Sequence, residues 1–245
     1  SFVLIAIGLY VRLKLTEAPI FIATLNKPKP KTLPMMEVIV THFKPFFLGM
    51  LICLAGYVLF YIMIAFSQIY AKSAHTVSEA GYTMGLGFSS QIFTALLMCS
   101  AISLAITIAI SGKYIDIVGR RIWLIWTTFG VAIFGLALPY FLDNGTTTSL
   151  FWFLMIGMGL IGMGYGPLAS FLPELFPTHA RYSGASLTYN ISGLFGASVA
   201  AIIALPLNAN YGLKGVGIYL TLNALFSLIR MNPRHLADAG TMVSL

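Results

Sequence analysis

A chain of 245 residues that is 58% hydrophobic and only 9% charged cannot be a water-solvated domain, which carries about 25% charged residues; its solvent is lipid. The net charge of +7 is divided among short connections, which argues against a nucleic-acid surface. The two cysteines, Cys53 and Cys99, fall inside apolar runs and imply no disulfide framework.

In chain order, residues 1–11 form an apolar stub. It lacks the basic start and small-residue cleavage site of a signal peptide, so it reads as the end of a membrane helix and the chain as part of something longer. Residues 12–45 hold six basic side chains and the proline-punctuated stretch Asn26 to Leu33, the composition of a solvated loop between bundles. Apolar runs follow at 46–69, 88–111, 122–142, 150–172 and 185–207, each near or above the ~20 residues a membrane helix needs. A last run, 215–229, has 15 residues, or ~22 Å at 1.5 Å per residue, short of a ~30 Å hydrocarbon core. No run alternates as a barrel strand would. The expectation is an all-α membrane protein with a six-helix bundle over 46–230 and a tail over 231–245. At Arg230-Met231-Asn232-Pro233 either the last span ends short or the reading frame shifts.

Charge orients this bundle. Arg12, Lys14, Lys27, Lys29, Lys31, Lys44, Lys113, Arg120, Arg121, Arg181, Arg230 and Arg234 fall on one side, and only Lys72 and Lys214 on the other. The positive-inside rule makes the first side, with the long loop and the C-terminus, cytoplasmic.

Two connections carry patterned residues. Gly112-x-x-x-Asp116-x-x-Gly119-Arg120-Arg121 joins the second and third full spans. Gly112 allows a close helix exit, Gly119 a tight turn, Asp116 a pairing or capping acid, and the arginines bidentate pairs. Pro173-Glu174-Leu175-Phe176-Pro177-Thr178-His179-Ala180-Arg181 follows the fourth, with Thr178 a plausible helix N-cap. The first pattern resembles the signature loop of the major facilitator superfamily. The second is similar to a loop of its sugar-porter-like members and their metabolite:proton symporter relatives. Thr16-Glu17-Ala18-Pro19 and Ser183-Gly184-Ala185-Ser186 also resemble the symporter branch, although Glu-Ala-Pro departs from its Glu-Ser-Pro.

The resemblance implies the C-terminal half of a twelve-helix fold, with residues 1–11 closing the sixth helix of an N-terminal half that lies outside this chain. It also implies that Glu174 pairs with Arg120 or Arg121. Gly112, Asp116, Gly119, Arg120, Arg121, Glu174 and Arg181 would then form a conformational latch at the inner face.

Solute contact needs polar groups in the spans, where they are costly unless they face a cavity. The candidates are Tyr57, Tyr61, Gln91, Tyr165, Ser186, Tyr189 and Asn190, with Gln68, Ser100 and Thr107 behind them. Tyr57 and Tyr61 share a helix face, as do Ser186 and Asn190, and Asn190 is the foremost candidate as a buried amide. Glycines 157, 159, 162, 164 and 166, and Gly193 with Gly196, Ala197, Ala200 and Ala201, suit close helix packing; Gly-Tyr-Gly-Pro at 164–167 also suits a bend. The histidines His42, His75, His179 and His235 are scattered over loops, so no metal, cofactor or catalytic constellation is expected.

The spans hold no mid-membrane acid or base, so a coupling acid would lie in the other half. The implied function is symport of organic acids or zwitterionic metabolites with protons in a bacterial inner membrane. An amide- and aromatic-rich cavity would favour a sugar facilitator instead. A non-transporting receptor or scaffold on the same fold is the alternative of another class.

Overall fold

The computed structural model describes Tyr10 and residues 34–231. The helix stub apart from Tyr10, the loop before residue 34 and the tail beyond Met231 lie outside the described residues. Over the described residues the architecture is all-helical, as expected. Helix α1 (Pro34–Thr41) precedes α2 (Phe43–Tyr61), so residues 34–45, read as loop, are largely helical. α2 runs through a π-helical turn, Ile62–Phe66, into α3 (Ser67–Lys72). Together Phe43–Lys72 make one span of 30 residues, about 45 Å long.

Three single helices follow: α4 (Ser90–Val118), α5 (Arg120–Leu142) and α6 (Thr147–Glu174). Side-chain caps start two of them. Ser89 Oγ accepts from Ile92 N at 3.3 Å, and Thr146 Oγ1 from Ser149 N at 3.2 Å.

α7 (Arg181–Arg230) has 50 residues but is broken at Gly212, whose φ of 67° and ψ of −169° belong to glycine alone. Hydrogen bonds show that the chain reverses there. The first limb climbs beside α2, with Ser192 Oγ donating to Met50 O at 3.3 Å, and reaches the opposite end where Asn208 Nδ2 donates to Thr83 O at 3.2 Å. The second limb returns: Thr221 Oγ1 donates to Ala132 O at 3.0 Å, and Ser227 Oγ to Leu51 O at 2.7 Å. Five long helices therefore make six passes, and the last pass starts directly after Gly212 rather than at Gly215.

Two apolar clusters fill the bundle. One, with Phe66, Phe93, Phe134, Leu138 and Phe153, spans its middle and one end. The other, with Phe46, Ile52, Leu124, Phe171, Phe176 and Met231, fills the end where α2 begins. α4 lies outermost and packs on α6. Ser103 Oγ donates to Met155 O at 2.9 Å, and a methyl on Gly159 would lie 3.0 Å from Ser103 Oγ. The glycine row thus serves the close approach expected of it, while α6 remains continuous through Pro167.

Two local expectations need correction. The basic connection 112–121 is not a ten-residue hairpin: α4 continues through Gly112 and Asp116 to Val118, and Gly119 (φ 93°, ψ 133°) alone makes the turn. Backbone hydrogen bonding carries a helix past the edge of an apolar run, so polar residues do not end it. Thr178 is not an N-cap; α7 starts at Arg181 after Ala180, with no side-chain cap.

Candidate functional site

One end of the bundle gathers the start of α2, the Gly119 turn, the α6–α7 loop and the end of α7. Among described residues it holds Lys44, Lys113, Arg120, Arg121, Arg181 and Arg230, whereas Lys72 and Lys214 stand at the opposite end. Arg120, the first residue of α5, donates from Nη1 to Oε1 of Glu174, the last residue of α6. Arg121 donates from Nε to Met231 O at 2.9 Å, satisfying a carbonyl at the end of α7. The one-residue turn is thereby tied to both neighbouring helices. Asp116 is exposed on the last turn of α4 and makes no ion pair among the described residues. Gly112 is open, with nothing within 4 Å of an added methyl. Arg181 is exposed and lines a groove instead of joining the Glu174 pair.

Above this end lies a cavity of about 260 Å³ between α2, α5, α6 and the first limb of α7. Tyr57, Tyr165 and Tyr189 face it, with Cys53, Thr127 and Thr128. The Tyr189 ring centre is 5.2 Å from that of Tyr57 and 6.4 Å from that of Tyr165, the latter pair edge-to-face. The hydroxyls of Tyr165 and Tyr189 are hydrogen-bonded to one another. On their other side a groove of about 700 Å³ is lined by Arg181, Tyr182, Ser186 and Asn190, and again by Tyr165 and Tyr189. The tyrosine pair is therefore the wall between two spaces.

The structure thus brings Tyr57, Tyr165, Ser186, Tyr189 and Asn190 to these spaces. It does not bring Tyr61, which packs on the core, or Gln91, which is exposed at the start of α4. Asn190 is exposed rather than buried, and its Nδ2 donates one hydrogen bond to Ser186 O at 2.8 Å. Thr127 and Thr128 were not anticipated; adjacent hydroxyls in an otherwise apolar run were the available signal. Asn208 was missed too, at 1% exposure, with its Oδ1 unsatisfied.

The described acids (Glu37, Glu79, Asp116, Asp143 and Glu174) lie in connections, in α1 or within the last turn of a span. At the far end, burial raises the Asp143 carboxyl above the usual carboxylate range, with Lys214 opposing. The histidines are less scattered than their positions suggest. His42 and His179 have ring centres 6.0 Å apart, and His179 Nε2 lies 2.9 Å from Glu37 Oε1.

Residues 82–231 match the family model described as sugar (and other) transporter. A Haemophilus influenzae protein named "Putative metabolite transport protein" is 87% identical over 229 residues, which are 94% of this chain and 51% of that protein. The inner membrane metabolite transport protein YhjE of Escherichia coli is 38% identical over 236 residues, 96% of this chain and 52% of YhjE. A proline/betaine transporter of Salmonella typhimurium is 25% identical over 91% of this chain and 44% of its own length. The chain spans about half the length of the curated relatives it matches. No solved structure matches it with significance.

Proposed function

This chain belongs to the sugar (and other) transporter family of the major facilitator superfamily, and from that premise we propose that the full-length protein is a secondary transporter of small organic solutes. In this reading it moves organic acids or zwitterions together with protons across a bacterial inner membrane, by rocking this bundle against a second one. The long loop and the C-terminus face the cytoplasm, where the basic end of the bundle belongs.

The tyrosine wall between cavity and groove carries the reading. Three aromatic faces around one apolar space suit a quaternary or ammonium head group through cation–π attraction. Arg181 in the adjoining groove suits a carboxylate. A zwitterion offers both, and one distant relative is named for proline and betaine. Because the described spans have no acid in their interior, the proton-binding group is assigned outside these residues. The Arg120–Glu174 pair, with Asp116, Arg121 and Gly119, acts as the latch that holds the cytoplasmic end in one state.

A sugar facilitator is the second reading, favoured by the Tyr165 and Ser186 hydroxyls and the Asn190 amide that line the groove. Uptake by the full-length protein in vesicles decides between them. Labelled betaine or an organic acid should enter faster under an inward proton gradient. Gradient-independent uptake of hexose alone would sink the symport reading.

A further inference from the structure

We propose that Glu37, His42 and His179 form a binding site for a divalent metal ion of borderline softness, with Zn²⁺ the best match, at the basic end of the bundle. Each of the three offers one ligand atom, and these atoms all lie within 4.8 Å of one another. Bond lengths of about 2.0–2.2 Å in a tetrahedral zinc site put neighbouring ligand atoms about 3.3 Å apart. Glu37 Oε1 and His179 Nε2, at 2.9 Å, are already inside that spacing, and the ligand atom of His42 lies within 4.8 Å of both, so a binding ion has at most about 1.5 Å to close.

The donor chemistry selects the ion. Two imidazole nitrogens and one carboxylate oxygen suit zinc and its first-row neighbours, whereas calcium and magnesium call for all-oxygen shells. Three protein ligands leave a fourth position for water or a solute group.

The framework is fixed while the ligand heads stay reachable. Next to Glu37, Val38 is fully buried; around His179, Phe176 and Ala180 are buried to 2% and 1% exposure. The side chains of Glu37 and His179 are 18% and 59% exposed, enough for an ion to enter from water. Without metal the carboxylate and imidazole satisfy one another, so the site stays assembled.

Its position gives such an ion leverage. Glu37 and His42 lie just before α2, and His179 lies in the loop between Glu174 and Arg181. A bound ion would clip these two segments together across 142 positions of sequence, five residues along the chain from Glu174. Metal occupancy would hold that loop in the geometry seen here and so slow any motion that opens the Arg120–Glu174 pair.

The test titrates Zn²⁺ into the intact detergent-solubilised protein, purified without a polyhistidine tag, in competition with a chromophoric chelator. Binding of one ion that weakens at least about tenfold in each of Glu37→Gln, His42→Ala and His179→Ala, but not in His75→Ala, supports the site. Co²⁺ should give the intense visible bands of a four-coordinate N/O site in the wild type and lose them in His179→Ala. Equal Zn²⁺ affinity in the wild type and a His42→Ala/His179→Ala double variant would overturn it, as would loss confined to His75→Ala. If a variant does not fold, chemical modification of wild-type histidines decides. Zn²⁺ protection of His42 and His179 supports the site, and unprotected reaction overturns it.

Discussion

Arg120 and Glu174 meet with each charge at the helix end that disfavours it: the cation opens α5 and the anion closes α6. A helix N-terminus carries partial positive charge and a C-terminus partial negative charge, each worth about 0.3–1 kcal/mol to a nearby side chain. Neither residue helps its own helix, so the placement is explained by the contact between them. When the contact opens, both charges face an opposing dipole. The pair is thus stable closed and uncomfortable open, the property a latch needs.

Exchanging the charges tests this directly. Arg120→Glu with Glu174→Arg keeps the attraction and places each charge on its favourable helix end. The exchanged protein should be more heat-stable than wild type by roughly 0.5–2 kcal/mol. Each single charge reversal should be less stable than wild type. In the full-length protein, Asp116→Ala and Glu174→Gln should lower maximal uptake more than solute affinity; a pure affinity loss would mean that these residues touch solute.

Gly119 makes the whole α4–α5 turn with a φ of 93°. A side chain in that region costs about 1–3 kcal/mol. Gly119→Ala should therefore lower thermal stability by that order, whereas Gly112→Ala, helical and open, should leave it unchanged or slightly raise it. If Gly112→Ala nevertheless reduces uptake, the face at Gly112 is approached in another state of the cycle.

These two glycines show what was legible. Their spacing marked the connection, because that pattern is local; the partner Glu174, 54 positions from Arg120, came only from the family resemblance. It did not show that Gly112 to Val118 is helix, since Lys113 and Asp116 read as loop residues although a helix leaving lipid tolerates them. The six passes were legible from apolar run length. The reversal at Gly212 and the π turn at Ile62–Phe66 were not, because both depend on backbone geometry within apolar sequence. Tyr57, Tyr165 and Tyr189 stood out as polar groups in lipid, but their meeting is tertiary. His42 and His179 looked unrelated for the same reason.

The crossing of α5 with the returning limb of α7 has no room for side chains. A methyl on Gly135 would lie 2.5 Å from Thr221 Oγ1 and 2.8 Å from Gly217 O. It would also disturb the bond from Thr221 to Ala132 O. Gly135→Ala should cost about 1–3 kcal/mol, seen as a lowered melting temperature in detergent. Gly56→Ala, with open space around it, is the matched control and should be neutral.

Asp143 should make stability weakly pH-dependent at the opposite end. Its folded pKa lies above its unfolded value, so the native state holds the proton longer. Stability therefore falls as pH rises from the ordinary carboxylate value through the raised one. Asp143→Asn should flatten this part of the pH–melting profile. The effect is small, because the residue is solvent-exposed. A steeper fall in Asp143→Asn would contradict the assignment.

Tyr189 separates the two solute classes, because its ring and its hydroxyl can be removed independently. Tyr189→Phe keeps the aromatic face toward Tyr57 and deletes the hydroxyl bonded to Tyr165. A cation–π ligand loses little by that change, so betaine affinity should stay within about twofold. A sugar read by that hydroxyl loses a hydrogen bond and leaves a polar group unpaired, costing about 1–3 kcal/mol, or roughly five- to more than a hundredfold. Tyr189→Leu removes the ring and reverses the expectation: betaine binding should fall by about 1–2 kcal/mol. Binding measured on the full-length protein by equilibrium dialysis reads both variants without needing turnover. Loss of betaine affinity in Tyr189→Phe equal to that in Tyr189→Leu would show that the hydroxyl, not the ring, holds the solute.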